Sequence, residues 1–147
     1  MYGTALLLHI LAATIWTGGH IVLSVVILPK VLINKSAQQL IDFESVYEKI
    51  GMPALIVQVL TGFWLAHNLV PNFGLWFDTS NPISRVILLK LSLLLLTVGF
   101  ALDARFRVIP TLNDESLLDM AWHIIPVTLF SILFVVVGVS FKTGWFF

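Results

Sequence analysis

Residues 9–30, HILAATIWTGGHIVLSVVILPK, decide the fold, because the stretch is long and apolar enough to cross a bilayer. It nevertheless carries His9 and His20, eleven residues apart. At about 100° per residue, this spacing places both imidazoles on one face of a helix, about 16 Å apart along its axis. Trp16 falls on that face between them. Ionisable side chains inside a membrane span indicate a functional site.

The composition indicates a membrane protein. Of the 147 residues, 59% are hydrophobic and only 11% are charged, and the mean hydropathy is +0.99. Soluble domains carry about a quarter charged residues. The formal net charge is zero, which gives no reason to expect a nucleic-acid partner. The chain has no cysteine, which excludes disulfides, thiolate metal sites and iron–sulfur clusters.

Four apolar segments approach or exceed the roughly 20 residues that a span requires. They cover residues 4–29, 51–70, 83–106 and 120–141. Because the connections are short, the pattern predicts one domain, an all-α antiparallel four-helix transmembrane bundle. The lipid bilayer is therefore a predicted partner of the chain.

The polar segment 36–50 has hydrophobic residues at helical spacing, with Ser36 as a predicted N-cap. It is either an amphipathic helix at the membrane surface or an extension of the second span. Gly51 and Pro53 predict a break or kink before the membrane. Tyr47 is either part of a solvated helix face or a cap on a site inside the bundle.

Basic residues predict the orientation. Five of them flank the first and third connections: Lys30, Lys35, Lys49, Arg105 and Arg107. Arg85 and Lys142 lie on the other side. The positive-inside rule then places the first and third connections in the cytoplasm and both termini on the outer side of the membrane. Asp103 and Arg107, at i and i+4, are expected to pair on the cytoplasmic rim.

With that topology the polar side chains sort into two depths. An outer group would contain His9, His67 and Lys90. An inner group would contain His20, His123, Met120 and Met52. Each depth therefore holds two histidines from different helices. A histidine in a span can also be an interhelical hydrogen-bond partner with no ligand.

One or two haem b groups are the cofactor that this arrangement favours, since haem iron takes axial imidazoles from facing helices. The axial pairs would be His9 with His67 and His20 with His123, and Lys90 would lie near a propionate. Trp16 is either core packing or a cofactor wall, and Gly18 and Gly19 would let a flat ring approach the backbone. The predicted role is redox or electron transfer, with an unidentified redox partner.

Copper is the alternative ligand, because imidazole and thioether groups suit it. The candidate ligands are His20, His123, Met120 and Met52. A Cu(I) path through the membrane would be expected to use sulfur at several depths. The chain has no cysteine and three methionines, and one of these is Met1.

Two stretches resemble the copper-resistance D (CopD) family of bacterial membrane proteins. LLLHILAATIWTGGH in the first span resembles the opening of that family. ISRVILLKLSLLLLTVGFALDARFRVIPTL resembles its leucine-rich span, on which Lys90, Arg105, Arg107 and Pro110 fall. The resemblance implies an inner-membrane protein linked to copper tolerance or uptake. A copper-handling periplasmic protein would then be a partner, and a homo-oligomer is possible.

A weaker resemblance links the chain to the HemJ-type protoporphyrinogen oxidases. These have four spans, a histidine in the first and a lysine in the third, which His9 and Lys90 match. That resemblance implies haem b and an oxidoreductase. The chain departs from it after the first histidine, where WTGGHIVLS replaces the expected Tyr-Leu-Pro-Arg-Leu ending.

Overall fold

A computed structural model describes residues 1–146, and within them the regular structure is helical throughout. Four helices are long and apolar enough to cross a membrane. They are α1 (Tyr2–Asn34), α2 (Ala37–Leu69), α3 (Pro82–Thr111) and α4 (Leu117–Thr143). The predicted all-α membrane fold is therefore confirmed, and the chain is a multi-pass membrane protein.

The turn between α1 and α2 is tight because two residues define it. Lys35 ends α1 in the left-handed region, with φ 48°. The Ser36 hydroxyl then accepts a hydrogen bond from the Gln39 N–H, which confirms the predicted N-cap. The two helices consequently run antiparallel from this turn.

The amphipathic segment is continuous with the second span, so the surface-helix alternative does not apply. Of the break or kink expected at Gly51 and Pro53, the break is absent, because α2 continues through Pro53. Proline is tolerated in membrane helices where neighbouring groups satisfy the freed backbone. At 1.5 Å per residue α2 is about 50 Å long, so it extends beyond a hydrocarbon core of about 30 Å.

Two short π-helical turns interrupt the spans, at Leu23–Ile27 in α1 and at Ala104–Val108 in α3. Each is followed two residues later by a proline, Pro29 or Pro110. A proline ring clashes with the carbonyl four residues earlier, and a widened turn relieves that clash. The first turn begins shortly after His20, and the second begins directly after Asp103.

The helices pack in the order α2, α1, α4, α3, because α1 contacts both α2 and α4 while α3 contacts chiefly α4. We call the end of the bundle where α1 begins the His9 end, and the opposite end the His20 end. A buried apolar cluster fills the His20 end, with Leu23, Val31, Leu40 and Ile124 among its members.

Residues 71–81 connect α2 to α3 at the His9 end. Trp76 in this connection is 3% exposed, and its Nε1–H donates to the Val70 carbonyl at 2.8 Å. The indole packs between Phe63 and Phe73, whose rings lie 6.0 and 4.7 Å from it. This aromatic residue therefore closes the end of the bundle.

Candidate functional site

His20 lies at the contact between α1 and α2, where it meets two aromatic rings. It is 8% exposed. Its ring centroid is 4.3 Å from that of Trp16 and 5.6 Å from that of Tyr47, the latter edge-on. The Tyr47 side chain thus reaches from the amphipathic part of α2 to His20, which belongs to the predicted inner group.

Hydrogen bonds fix the tautomer of His20. Its Nδ1 lies 2.9 Å from the Trp16 carbonyl oxygen, which only accepts, so Nδ1 carries the hydrogen. The Tyr47 hydroxyl donates to the same carbonyl at 2.9 Å. Nε2 is therefore left with its lone pair and has no hydrogen bond to the described residues. An imidazole held in this way is prepared to bind a metal ion or to accept a proton.

Gly19 makes the approach of Tyr47 possible. A Cβ atom built at Gly19 would overlap the tyrosine ring, whereas one at Gly18 would meet nothing within 4 Å. A flat ring does approach the backbone here, as the glycine pair suggested, but it belongs to the protein's own Tyr47. Gly51 on α2 also faces this ring.

His9 makes a matching contact with α2 at the other end. Its Nδ1 lies 3.0 Å from the hydroxyl oxygen of Thr61. That hydroxyl donates its own hydrogen to the Val57 carbonyl at 2.6 Å, so it accepts from His9. Nε2 of His9 is again the free nitrogen. The Gly62 backbone lies against the same ring.

His67 lies away from this contact. It is exposed, and its ring stacks on Phe73 at 5.1 Å and 20°. Six residues after Thr61, it is rotated about 120° from the face that meets α1. The structure therefore does not bring His67 together with His9, and the proposed axial pair stays a prediction without geometric support.

His123 has both ring nitrogens engaged. Nδ1 donates to the Asp119 carbonyl at 2.8 Å, and Nε2 lies 2.6 Å from the Asp103 carboxylate. Asp103 also binds Arg107 at 2.6 Å, as the i,i+4 spacing predicted. This doubly hydrogen-bonded histidine joins α3 to α4 and offers no free nitrogen to a metal.

The methionines of the inner group are also apart from His20. Met120 is buried in the apolar cluster of the His20 end, and Met52 is 45% exposed on the outer surface of α2. No group of three or more histidine, aspartate or glutamate side chains within residues 1–146 is placed to hold a metal ion. The set of four copper ligands does not assemble in this structure.

Lys90 lies inside the bundle at the His9 end. Its Nζ would be 3.2 Å from a Cβ built at Gly138, and it lies 5.8 Å from the Phe141 ring centroid. It has no hydrogen bond or ion pair with the described residues. The missing side chain at Gly138 thus makes room for this partly buried ammonium group.

These contacts do not fit a haem held by two axial histidines. His67 faces away from His9, and the nitrogens of His123 are already bound to Asp103 and Asp119. Tyr47 occupies the space that Gly19 leaves open. An open surface groove of about 430 Å³ lies between α1 and α2 near Met1 and Trp64, but none of the four histidines lines it.

One further polar residue, Gln58, escaped the sequence analysis. It is 8% exposed, and its Oε1 has no hydrogen-bond partner among the described residues. Trp16, which the sequence analysis did identify, is 7% exposed, and its Nε1 likewise has none. Gln58 is the one glutamine within the segment 51–70, and an amide in a span is a signal that could have identified it.

The chain matches the family of copper resistance protein D over residues 41–141. The match includes Lys90, Arg105, Arg107 and Pro110, on which the second resemblance rested, whereas the stretch that contains His9 and His20 precedes it. No curated protein and no solved structure gives a significant match. Since the matched region is more than half of the chain, this four-helix membrane protein belongs to the copper resistance protein D family.

Proposed function

We propose that this chain binds copper ions inside the membrane as cargo, with His20 as the principal metal-binding imidazole. The supporting observation is the tautomer of His20. Its Nδ1–H is committed to the Trp16 carbonyl, and the free Nε2 lies in the contact between two helices. Hydrogen bonding of one ring nitrogen orients the other toward a metal.

The chemistry of the surroundings favours a transition-metal ion, and the family match favours copper among these. Imidazole is a ligand of copper and other transition metals, whereas Mg²⁺ and Ca²⁺ prefer oxygen. The indole of Trp16, 4.3 Å from the His20 ring, supplies an aromatic face of the kind that attracts cations. Within residues 1–146 no carboxylate bonds to His20, so a hard cation would lack its preferred ligands there.

A site with few protein ligands suits an ion that must leave again. Conduction requires binding strong enough for entry and weak enough for release. A resident structural metal would need the fuller ligand set that the described residues do not provide. Copper is therefore the transported or delivered ion in this proposal.

His9 is the second station that this proposal includes, because its Nε2 is free in the same way. Lys90 places a partly buried positive charge at the same end of the bundle, so we expect weaker binding at His9 than at His20. The distribution of basic residues predicts that the His9 end faces the periplasm, where a copper-handling protein would contact it.

Copper binding to the purified protein tests the proposal. Cu(I) is titrated anaerobically in detergent against bicinchoninate, and bound copper is counted by elemental analysis. We expect the wild-type protein to bind Cu(I) and the His20→Ala variant to bind it at least about tenfold more weakly. Removal of a group that only orients a metal ligand already lowers the metal affinity by about that factor. His67→Ala is the matched control, since that ring lies on the surface against Phe73.

Two results would overturn the proposal. The first is wild-type copper affinity in His20→Ala, provided that circular dichroism shows both variants folded. The second is a Soret band with stoichiometric iron in the same preparation. That spectrum would support the haem hypothesis instead and would require a rearranged bundle.

A further inference from the structure

The apolar cluster of the His20 end closes the bundle directly beyond the candidate site. It begins one turn after His20 on α1, and every helix contributes to it, with Val31, Leu40, Val108 and Ile124 among its members. An apolar constriction of this kind blocks ions, because it offers them no polar group in place of water. An ion bound at His20 can therefore leave through this end only when part of the cluster moves.

The helices around the cluster are not equally anchored to one another. α1 packs extensively on α2, and the two are joined by a tight turn. Two buried hydrogen bonds join α1 to α4, from the Thr17 hydroxyl to the Ser131 carbonyl at 3.2 Å and from the Thr128 hydroxyl to the His20 carbonyl at 3.1 Å. In contrast, α2 and α3 share little backbone packing. The side between α2 and α3 is therefore the least supported side of the bundle.

Residues 104–113 form a segment on this side that is held at both ends, and we call it the strap. Directly before it, the Asp103 carboxylate is hydrogen-bonded to His123 on α4 at 2.6 Å. Directly after it, the Asp114 carboxylate accepts a hydrogen bond from the Ala37 N–H at the start of α2, at 2.7 Å. Between these anchors the backbone forms a π-helical turn and then a 3₁₀ turn. A π-helical turn within a helix is rare and occurs frequently at functional sites.

One ion pair ties the strap to α2. Nη1 of Arg105 lies 3.3 Å from the Glu48 carboxylate, and the two side chains are 58% and 41% exposed. Within residues 1–146 it is the one hydrogen bond or ion pair between α2 and α3. Val108, in the same π-helical turn as Arg105, is 7% exposed and belongs to the apolar cluster. A single turn thus carries both a bond to α2 and a part of the barrier.

We infer that the strap is a gate at the His20 end and that the ion pair between Glu48 and Arg105 is its latch. When Arg105 separates from Glu48, the π-helical turn moves outward between its two anchors and withdraws Val108 from the apolar cluster. The backbone permits this movement because Pro110 has no N–H with which to complete a regular helix. The inference rests on the proposed function in one respect, namely that the open gate releases the ion held at His20.

The strength of the latch suits a gate that has to open. An exposed ion pair stabilises only slightly, and salt screens it. Burial of the Val108 side chain favours the closed state as well, because opening exposes its apolar surface. The hydrogen bonds between α1 and α4 lie outside the strap, so the gate can open while the rest of the bundle stays folded.

Labelling of an introduced thiol tests the inference, since the chain has no cysteine of its own. Val108→Cys changes the side chain little, and its thiol reacts with a water-soluble maleimide when the residue leaves the apolar cluster. The full chain is labelled in detergent without copper. Adding Glu48→Gln should raise the labelling rate about two- to fivefold, the scale open to an exposed ion pair. Exchange of the two charges, Glu48→Arg with Arg105→Glu, should restore the slow rate.

Two controls make the result specific to the latch and to the strap. Asp42→Asn removes a carboxylate from α2 that bonds only to Gln38 of the same helix, so it should leave the labelling rate unchanged. Ser131→Cys places a second reporter at the contact between α1 and α4, where Ser131 is 0% exposed. This reporter should stay protected when Glu48→Gln is added.

Either of two outcomes overturns the inference. The first is an equal labelling rate of Val108→Cys with Glu48→Gln and with Asp42→Asn. The second is an equal acceleration of Ser131→Cys by Glu48→Gln, which would mean that the whole bundle loosens. Because copper is absent throughout, failure of the copper proposal would not change this result, and failure of the gate would leave the copper titration intact.

Discussion

Tyr47 and His20 donate to the same atom, the carbonyl oxygen of Trp16, each at 2.9 Å. The two donors come from different helices, so this oxygen couples the side chain of α2 to the orientation of the imidazole on α1. The hydroxyl oxygen of Tyr47 also lies 3.3 Å from Nδ1 of His20. Tyr47 therefore acts as a positioning residue for whatever binds at Nε2.

Tyr47→Phe should weaken Cu(I) binding about tenfold without unfolding the protein. Loss of a partner that orients a metal-binding histidine typically costs about 10- to 100-fold in affinity. The ring itself should remain, since it stacks on Phe43 at 5.8 Å. Competition with bicinchoninate measures the change, and Tyr2→Phe, at the other end of the bundle, is the control. If Tyr47→Phe binds Cu(I) as tightly as Tyr2→Phe, then Tyr47 does not position the metal-binding imidazole.

The paired glycines should respond differently to the same substitution. Gly19→Ala places a methyl group inside the Tyr47 ring, so α1 and α2 must separate or the tyrosine must leave. Overpacking of this kind costs about 1 to 3 kcal/mol. Gly18→Ala meets nothing within 4 Å and should be neutral or slightly stabilising, because alanine favours helix. Thermal unfolding in detergent compares them, and equal melting temperatures would contradict the contact.

The sequence was sufficient for the spans and for interactions within one helix. Hydropathy identified four membrane helices because the bilayer imposes length and composition on each one. Ser36 as N-cap and the Asp103–Arg107 pair followed from local rules that need no tertiary information. The copper-resistance resemblance also rested on contiguous residues and is confirmed.

The rotation of each helix could not be predicted in the same way. In a membrane both the lipid-facing and the buried face are apolar, so the amphipathic signal that orients a soluble helix is weak. Depth alone matched His9 with His67, yet His67 is turned away and Thr61 takes its place. The same ambiguity concealed that His123 faces Asp103 on α3.

The His123–Asp103 pair should couple α3 to α4 energetically. Asp103→Asn and His123→Ala should each lower the free energy of unfolding by about 1 to 3 kcal/mol, the range for hydrogen bonds to charged groups. A double-mutant cycle should give a coupling of at least about 0.5 kcal/mol, because the residues contact directly at 2.6 Å.

Arg107→Ala provides the comparison within the same cluster. The Arg107 side chain is 74% exposed, and exposed pairs contribute only about 0 to 1 kcal/mol. Unfolding followed by circular dichroism measures all four variants. Additive effects of Asp103→Asn and His123→Ala would mean that the pair does not hold the helices together.

Lys90→Met should stabilise the protein while preserving the shape of the side chain. The ammonium lies against Gly138 and Phe141 with no anionic partner among the described residues. Insertion scales put a lysine at the centre of a span at about 3 kcal/mol, so removing the charge should recover about 1 to 3 kcal/mol at this partly buried site. Lys142→Met, exposed at the end of α4, should change stability by no more than about 0.5 kcal/mol.

Thermal unfolding of the delipidated protein compares the two lysine variants. A lower melting temperature for Lys90→Met would mean that the ammonium is neutralised by an anionic group bound in the bundle. That result would support the hypothesis that Lys90 lies near a haem propionate. A higher melting temperature would instead identify Lys90 as a residue whose partly buried charge costs stability and is retained for a role at the His9 end of the bundle.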